Sequence, residues 1–439
     1  MSNAYDDIYL LTRSVVYLAK KIEGVTSLKQ LQIIVMIAVL LIVSGTGYAQ
    51  EGKIQLLWEN AEDAVMYELE IGRLPLKRTK KFSNQQIIYS TTEVFTPGVE
   101  LNLSLFNDQP LNKLYFRTRP LDLDKKPIAE FSRGVVLSKG AIDPQKPTPT
   151  AFLKPGHPAP LYPVYSWIPV LGASTYEVEI TNRPPENANG IQPSQYRILS
   201  YSIEGGFDCY DTHAYTEAGR YYWRVRALDA ENEPIGTYSD AVSFSVQTGS
   251  YKWAVFGDSI THGGGAVSNP PSDERFEYAS YLPFPVKNLG KSGDTIEMMA
   301  LRFETDVLPF KPRYMFILGG TNSIRGGTSG ESVIDSLQVI KGKCEQNGIT
   351  PIFLTLPPIN PERIQRVFNQ PTAENWKAEL GKVNDFIRNQ PNAIEIYSLL
   401  VDEQGFLPVE YAEDGLHPDI SGKKIMARSI NAFLQTHNF

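Results

Sequence analysis

Two stretches of this chain repeat each other, and that repeat constrains the first half more than any other feature. Trp58 is followed nine residues later by Tyr67-Glu68-Leu69-Glu70-Ile71, and Trp167 nine residues later by Tyr176-Glu177-Val178-Glu179-Ile180. Downstream, Tyr115-Phe116-Arg117-Thr118-Arg119 matches Tyr222-Trp223-Arg224-Val225-Arg226. The match runs on through Pro127-Ile128 and Pro234-Ile235 to Ser138 and Ser245, at a constant offset of 107. A period of that length is a whole module repeated. Both copies alternate apolar and polar residues over short runs broken by Pro, Gly and Asn, the pattern of antiparallel strands with one buried face. Roughly a hundred residues holding about seven such strands predicts a β-sandwich. The expected modules are residues 50–142 and 150–247. The segment Asp143-Pro144-Gln145-Lys146-Pro147-Thr148-Pro149 between them reads as an extended, semi-rigid spacer.

Past Ser250 the period changes. Continuous apolar runs at Trp253–Phe256, Val286–Leu289, Tyr314–Leu318, Ile352–Leu356 and Ile394–Tyr397 alternate with amphipathic stretches at Ile296–Leu308, Glu331–Gln346, Ala373–Arg388 and Gly422–Leu434. Short, wholly apolar strands joined by helices predict a parallel sheet covered on both faces. Residues 251–439 are therefore expected to form one doubly wound α/β domain.

At the other end, Ile33–Val43 is an unbroken apolar run of eleven residues, short of the roughly 20 needed to span a bilayer. Lys20, Lys21 and Lys29 precede it, and Gly47-Tyr48-Ala49 places small residues before a cleavage point after Ala49. Residues 1–49 thus read as a secretory signal, and the mature protein as secreted or periplasmic with no stable membrane span. No cysteine follows the run, so a lipid anchor is not expected.

The formal net charge of −7 leaves no basic excess to hold a phosphate backbone, so nucleic acid is not an expected partner. Two cysteines, Cys209 and Cys344, exclude a disulfide scaffold, and the five histidines carry no His-Glu-x-x-His pattern. Neither a cofactor nor a metal is expected. Gly290-Lys291-Ser292 resembles the end of a phosphate-binding loop, but Pro285 stands where that loop needs its first glycine. The elbow Gly-x-Ser-x-Gly does not occur.

In open α/β sheets the ligand site lies beyond the carboxyl ends of the strands. Four polar segments fall there: Gly257-Asp258-Ser259-Ile260, Gly290-Lys291-Ser292-Gly293, Gly319-Gly320-Thr321-Asn322-Ser323, and Asp414-Gly415-Leu416-His417-Pro418. A serine nucleophile needs a base within hydrogen-bond reach and a carboxylate to fix that base's tautomer. Ser259, His417 and Asp414 offer those groups. The N–H groups of Ser259 and Gly293 and the side-chain amide of Asn322 offer donors for an oxyanion. Singly, each segment has a bland reading: a helix N-cap at Asp258-Ser259, a turn at Asp414-Gly415 with His417 on the surface, a loop at Gly319-Gly320. His262 is open between a substrate contact and an ordinary loop histidine. His157, His213 and His437 receive no role.

Together these four segments, in this order, resemble the signature blocks of the SGNH (GDSL) hydrolase superfamily across residues 251–437. The resemblance implies a flavodoxin-like three-layer α/β/α domain with a five-stranded parallel sheet. It further implies Ser259, Asp414 and His417 as the catalytic triad, and Ser259, Gly293 and Asn322 as the oxyanion hole. Ser323 stands where that family often has Asp, which puts its supporting bonds in question. Residues 51–247 resemble fibronectin type III modules, so the whole chain is expected to be two immunoglobulin-like all-β sandwiches ahead of the hydrolase domain. The expected function is a secreted serine esterase acting on short acyl esters, acetyl above all, of polysaccharides. The alternatives are a lysophospholipase or thioesterase of the same superfamily, or a protein that chiefly binds glycans. The expected partner is an acetylated carbohydrate or small ester, with glycan contact by the sandwiches weighed against passive spacing. Ser259–Pro285 and Pro357–Trp376 are expected to wall the pocket, because both follow strands at the catalytic edge.

Overall fold

The computed structural model describes residues 52–73, 86–106, 109–140, 146–150, 158–437 and 439. The expected signal segment and His157 lie outside them. The described residues within 53–101 and 111–439 form one compact unit, and no described helix is long and apolar enough to cross a membrane.

The repeat folds twice into the same pair of sheets. In the first copy β2 (Met66–Arg73) pairs antiparallel with β3 (Ile87–Val94) and β5 (Leu114–Leu121), β5 carries β6 (Val135–Val136), and β1 (Lys53–Leu57) pairs with β4 (Gly98–Asn102). In the second, β8 (Thr175–Thr181) lies between β9 (Arg197–Glu204) and β11 (Gly219–Leu228). Strand β11 also pairs with β12 (Pro234–Ile235) and β13 (Val242–Val246), and β7 (Val164–Ser166) pairs with β10 (Asp208–Tyr210).

The repeated residues do the same job in each copy. Trp58 packs edge-on against Tyr67, and the Tyr67 hydroxyl accepts the N–H of Ala61. Trp167 packs against Tyr176, whose hydroxyl accepts the N–H of Val170. Across the central strands, Arg117 meets Glu70 and Arg224 meets Glu179, each pair buried. A buried charge is tolerated only when paired, which is why both ions recur together.

The described end of the linker departs from the expected spacer. Pro149 bridges Trp167, Thr150 donates its N–H to the Ser166 carbonyl, and Ile168 donates to Thr148. Residues 148–150 are thus sheet edge of the second sandwich. Its backbone groups prefer a strand partner to water once Trp167 is buried alongside.

The C-terminal sheet runs in the order β15 (Lys287–Asn288), β14 (Trp253–Gly257), β16 (Tyr314–Leu318), β17 (Thr350–Leu354), β18 (Ala393–Ile394), all parallel. That is the 2-1-3-4-5 order of doubly wound folds, with its switch point between the first and third strands of the domain. Helices α1 (Ser259–His262), α2 (Ile296–Asp306), α3 (Thr321–Arg325), α4 (Gly330–Gln346), α5 (Pro361–Phe368), α6 (Trp376–Arg388) and α7 (Ile420–Thr436) complete it. α2, α4 and α6 pack side by side, while α7 contacts the short turns at 274–281. All five residues of β14 and of β16 are buried, as their unbroken apolar sequences require.

Several elements differ from expectation: the fourth strand of this domain is Thr350–Leu354 rather than Ile352–Leu356, and the short helix α3 was not expected. The last strand stops at Ile394 because the N–H groups of Ile396 and Tyr397 turn to the Thr355 hydroxyl instead of the ladder. Helix α5 was not anticipated. Its start is nonetheless written in Asn360-Pro361-Glu362: Asn360 accepts the Arg363 N–H as N-cap and Pro361 takes the first turn.

Candidate active site

Each strand end delivers one piece of the site. After β14 the chain turns into α1, whose N-cap is Asp258; its carboxylate accepts the Ile260 N–H. The cap reading and the nucleophile reading of this segment therefore coexist: Asp258 caps, and Ser259 next to it faces the cavity. Asn288, at the end of β15, donates to the carbonyls of Thr261 and His262 and to Glu277, closing the far end of this four-residue helix. Lys423 of α7 donates its ammonium to the Ile260 carbonyl. Burial holds both ions off their usual ionisation, pushing Glu277 up to about 8 and Lys423 down to about 8.

The Asp-x-x-His segment before α7 is a tight turn built on its own carboxylate. Asp414 Oδ1 accepts the N–H groups of Leu416 and His417, and Oδ2 lies 2.8 Å from His417 Nδ1. Gly415 sits at φ 77°, and a side chain there would strike Asn360 and Arg363, so only glycine makes this turn. His417 Nε2 then lies 2.9 Å from Ser259 Oγ. Asp414 is fully buried and His417 half-buried. The aligned groups, hydroxyl to imidazole to carboxylate, can pass a proton from Ser259 to His417 while Asp414 holds Nδ1–H.

The residues expected to donate to an oxyanion come from the neighbouring strand ends. Gly293 has φ 86° with open space where a Cβ would stand, on the cavity side. Asn322, in α3, donates one amide hydrogen to the Asp294 carbonyl, which holds the Gly293 loop and leaves the second hydrogen for a ligand. Ser323 makes its own support: its hydroxyl accepts the Ile296 N–H and donates to Glu297. It thereby ties the start of α2 to α3.

His262 is neither a substrate contact nor a loop residue. Its ring is buried, donating Nε2–H to the Tyr162 carbonyl at 2.6 Å and accepting at Nδ1 both the N–H and the hydroxyl of Ser292. Burial, with the nearby cations of Arg302, Lys423 and Lys291 adding to it, lowers its pKa to about 4. The tautomer is fixed by these partners. Arg302 on α2 was missed in the sequence. It donates to the carbonyls of Gly257 and Leu289 and pairs with Asp294 and Asp306, so one side chain ties the ends of two strands to the Gly293 loop.

A cavity of about 300 Å³ opens over Ser259, Gly293, Asn322 and His417. Its walls are residues 263–267, Phe368 and Gln370, which lie in the two expected segments, together with Arg325 and Tyr210, which sequence reasoning missed. Tyr210 comes from β10 of the second sandwich, and its distance along the chain gave no signal. A larger cavity of about 390 Å³ beside Pro158 and Phe284 holds none of the reactive groups.

The sandwiches brace this cavity. Ala64 and Val65 of the first accept hydrogen bonds from Asn269 and Ser268, and Val65, Met66 and Leu121 pack on Ala266 of the wall. Leu123 donates to Glu413, beside Asp414, while Asp124 pairs with Arg363 and Arg366 of α5. Cys209 and Cys344 are free and buried. Among the described residues no three or more His, Cys, Asp or Glu side chains converge as metal ligands would.

Comparison with known proteins covers part of the chain. An 80-residue stretch is 38% identical to the uncharacterized lipoprotein YqeF of Bacillus subtilis, covering 17% of this chain and 33% of that protein. The chain thus matches only a third of the length of that relative. Among solved structures, similarity is found to a lipase/acylhydrolase from Enterococcus faecalis (21% identity, 42% of this chain and 94% of that one, TM-score 0.34). It is also found to a GDSL-like lipase from Bacteroides thetaiotaomicron (22%, 42% and 89%, TM-score 0.33). A third is a mutant acetyl-xylooligosaccharide esterase from Geobacillus Stearmophilus (21%, 42% and 94%, TM-score 0.31). Residues 255–425 match the GDSL-like Lipase/Acylhydrolase family, and this part of the chain is a domain of that family of ester hydrolases.

Proposed function

We propose that this protein is an exported serine esterase that removes short acyl groups, acetyl above all, from carbohydrates. The observation that carries the reading is the hydrogen-bonded line Ser259–His417–Asp414 at the floor of an open cavity. Ser259 Oγ attacks the ester carbonyl as its proton moves to His417 Nε2. The oxyanion is held by the N–H groups of Ser259 and Gly293 and by the free amide hydrogen of Asn322. Collapse releases the alcohol, which takes the proton from His417 and leaves an acyl-Ser259. Water, deprotonated by His417, then frees the acid and restores the serine.

A cavity of about 300 Å³ is at the small end for ligand sites, which favours a short acyl chain. Tyr210 lines the same cavity as Ser259, and an aromatic side chain there suits a sugar, in keeping with the carbohydrate assignment. Export rests on the apolar run at Ile33–Val43 and on the relative whose name is that of a lipoprotein. The test is acetate release from acetylated polysaccharides by the wild-type protein beside Ser259→Ala; release that persists in the variant sinks the mechanism.

A further inference from the structure

Arg325 ends α3, three residues beyond Asn322, and lines the cavity over Ser259. A half-buried guanidinium is normally paired with a carboxylate, because desolvating a charge alone is unfavourable. The rest of this molecule obeys that rule. Every other buried or half-buried arginine among the described residues is ion-paired, from Arg117 with Glu70 to Arg363 with Glu413. Arg325 instead donates only to the neutral side-chain oxygen of Gln370. No Asp or Glu lines the cavity, and Asp414 stays fully buried behind His417. The group is also held in place, since the Arg325 carbonyl accepts the Ala373 N–H and fixes the loop that carries Gln370.

We propose that Arg325 is the anion contact of this pocket, and that the ester taken here carries a carboxylate on its sugar, as an acylated uronic acid does. The proposal rests on the esterase reading above and narrows its substrate class. Of the five N–H donors of a guanidinium, one is spent on Gln370, and the planar fork can meet a carboxylate through two of the others. With the remaining walls built of glycines, aliphatic and aromatic groups, serines, neutral amides and the imidazole of His417, a single fixed guanidinium selects among substrates without drawing in anions over a distance.

The test compares KM for an O-acetylated methyl glucuronoside with KM for the matching O-acetylated methyl glucoside, in wild-type protein, R325Q and R325K. The wild type is expected to favour the charged ester by about tenfold or more in KM. That ratio falls to near one in R325Q and to an intermediate value in R325K, which keeps the charge and loses the fork. The ratio is insensitive to the fraction of active protein. Equal KM values in the wild type, or a preference that survives in R325Q, overturn the proposal. So does a preference for 4-nitrophenyl hemisuccinate over the acetate without one for the glucuronoside, which moves the carboxylate to the acyl side. Should the wild type hydrolyse none of these esters, the esterase reading fails by itself. Calorimetric titration of Ser259→Ala with methyl glucuronoside and methyl glucoside then decides the subsite: binding of the charged sugar alone supports it, and equal or absent binding overturns it.

Discussion

His262 Nδ1 receives both the backbone N–H and the hydroxyl of Ser292, the residue just before Gly293. Helix α1, which presents Ser259, and the loop that presents the Gly293 N–H are therefore locked to each other by one imidazole. The same ring reaches the carbonyl of Tyr162, just before β7 of the second sandwich. The proposed nucleophile and oxyanion donor are held in a common frame.

His262→Ala is expected to lower kcat by about a hundredfold, since a shift of about 1 Å in a catalytic group has effects of that size, with a smaller change in KM. Steady-state kinetics on a small acetyl ester checks this. Wild-type kcat in the variant would show that Ser292 needs no such anchor.

The same ring sets a pH dependence of stability. His262 is held neutral in the folded protein down to about pH 4, against an ordinary value of 6.5. The unfolded chain therefore takes up its proton first as the pH falls. The contribution is complete above pH 6.5 and is lost as pH drops toward 4, by about 3 kcal/mol at roughly 1.4 kcal/mol per unit. Denaturant unfolding across pH 4–7 should show this slope in the wild type and a flatter one in His262→Asn. Identical slopes would contradict the burial argument.

Asn322→Ala removes one oxyanion donor and the tie to the Asp294 carbonyl, and should lower kcat by about 10²–10³. Full activity in this variant would exclude the amide from the oxyanion hole.

Arg302→Met removes the cation from two buried carboxylates and breaks two backbone contacts at once. Breaking such a pair is destabilising by about 3–5 kcal/mol. Thermal and denaturant unfolding should show a loss in that range, and a loss under 1 kcal/mol would mean that Asp294 and Asp306 find other partners.

Much of this arrangement is legible in the sequence, for a physical reason. The buried strands at Trp253–Gly257 and Tyr314–Leu318 are read from their unbroken apolar runs. The polar residues that follow them had to fall at the sheet's carboxyl edge. The repeat was legible because Trp58–Tyr67 and Trp167–Tyr176 solve one packing problem twice. What escaped was set by tertiary contact. Tyr210 enters the cavity because the second sandwich docks there, and Arg302 gathers the carbonyls of Gly257 and Leu289, which lie 45 and 13 residues from it in the chain. The role of His262 depended on Tyr162, a hundred residues away in the chain. Helix α5 is a different case: its cap was present at Asn360, and only the short length of the element hid it.

The most direct measurement is acetate release by wild-type protein and by Ser259→Ala from acetylated polysaccharides and one small acetyl ester. The account predicts release by the wild type and its abolition in the variant, with the protein still folded. Equal release by both would contradict it, because the line from Ser259 through His417 to Asp414 would then carry no chemistry.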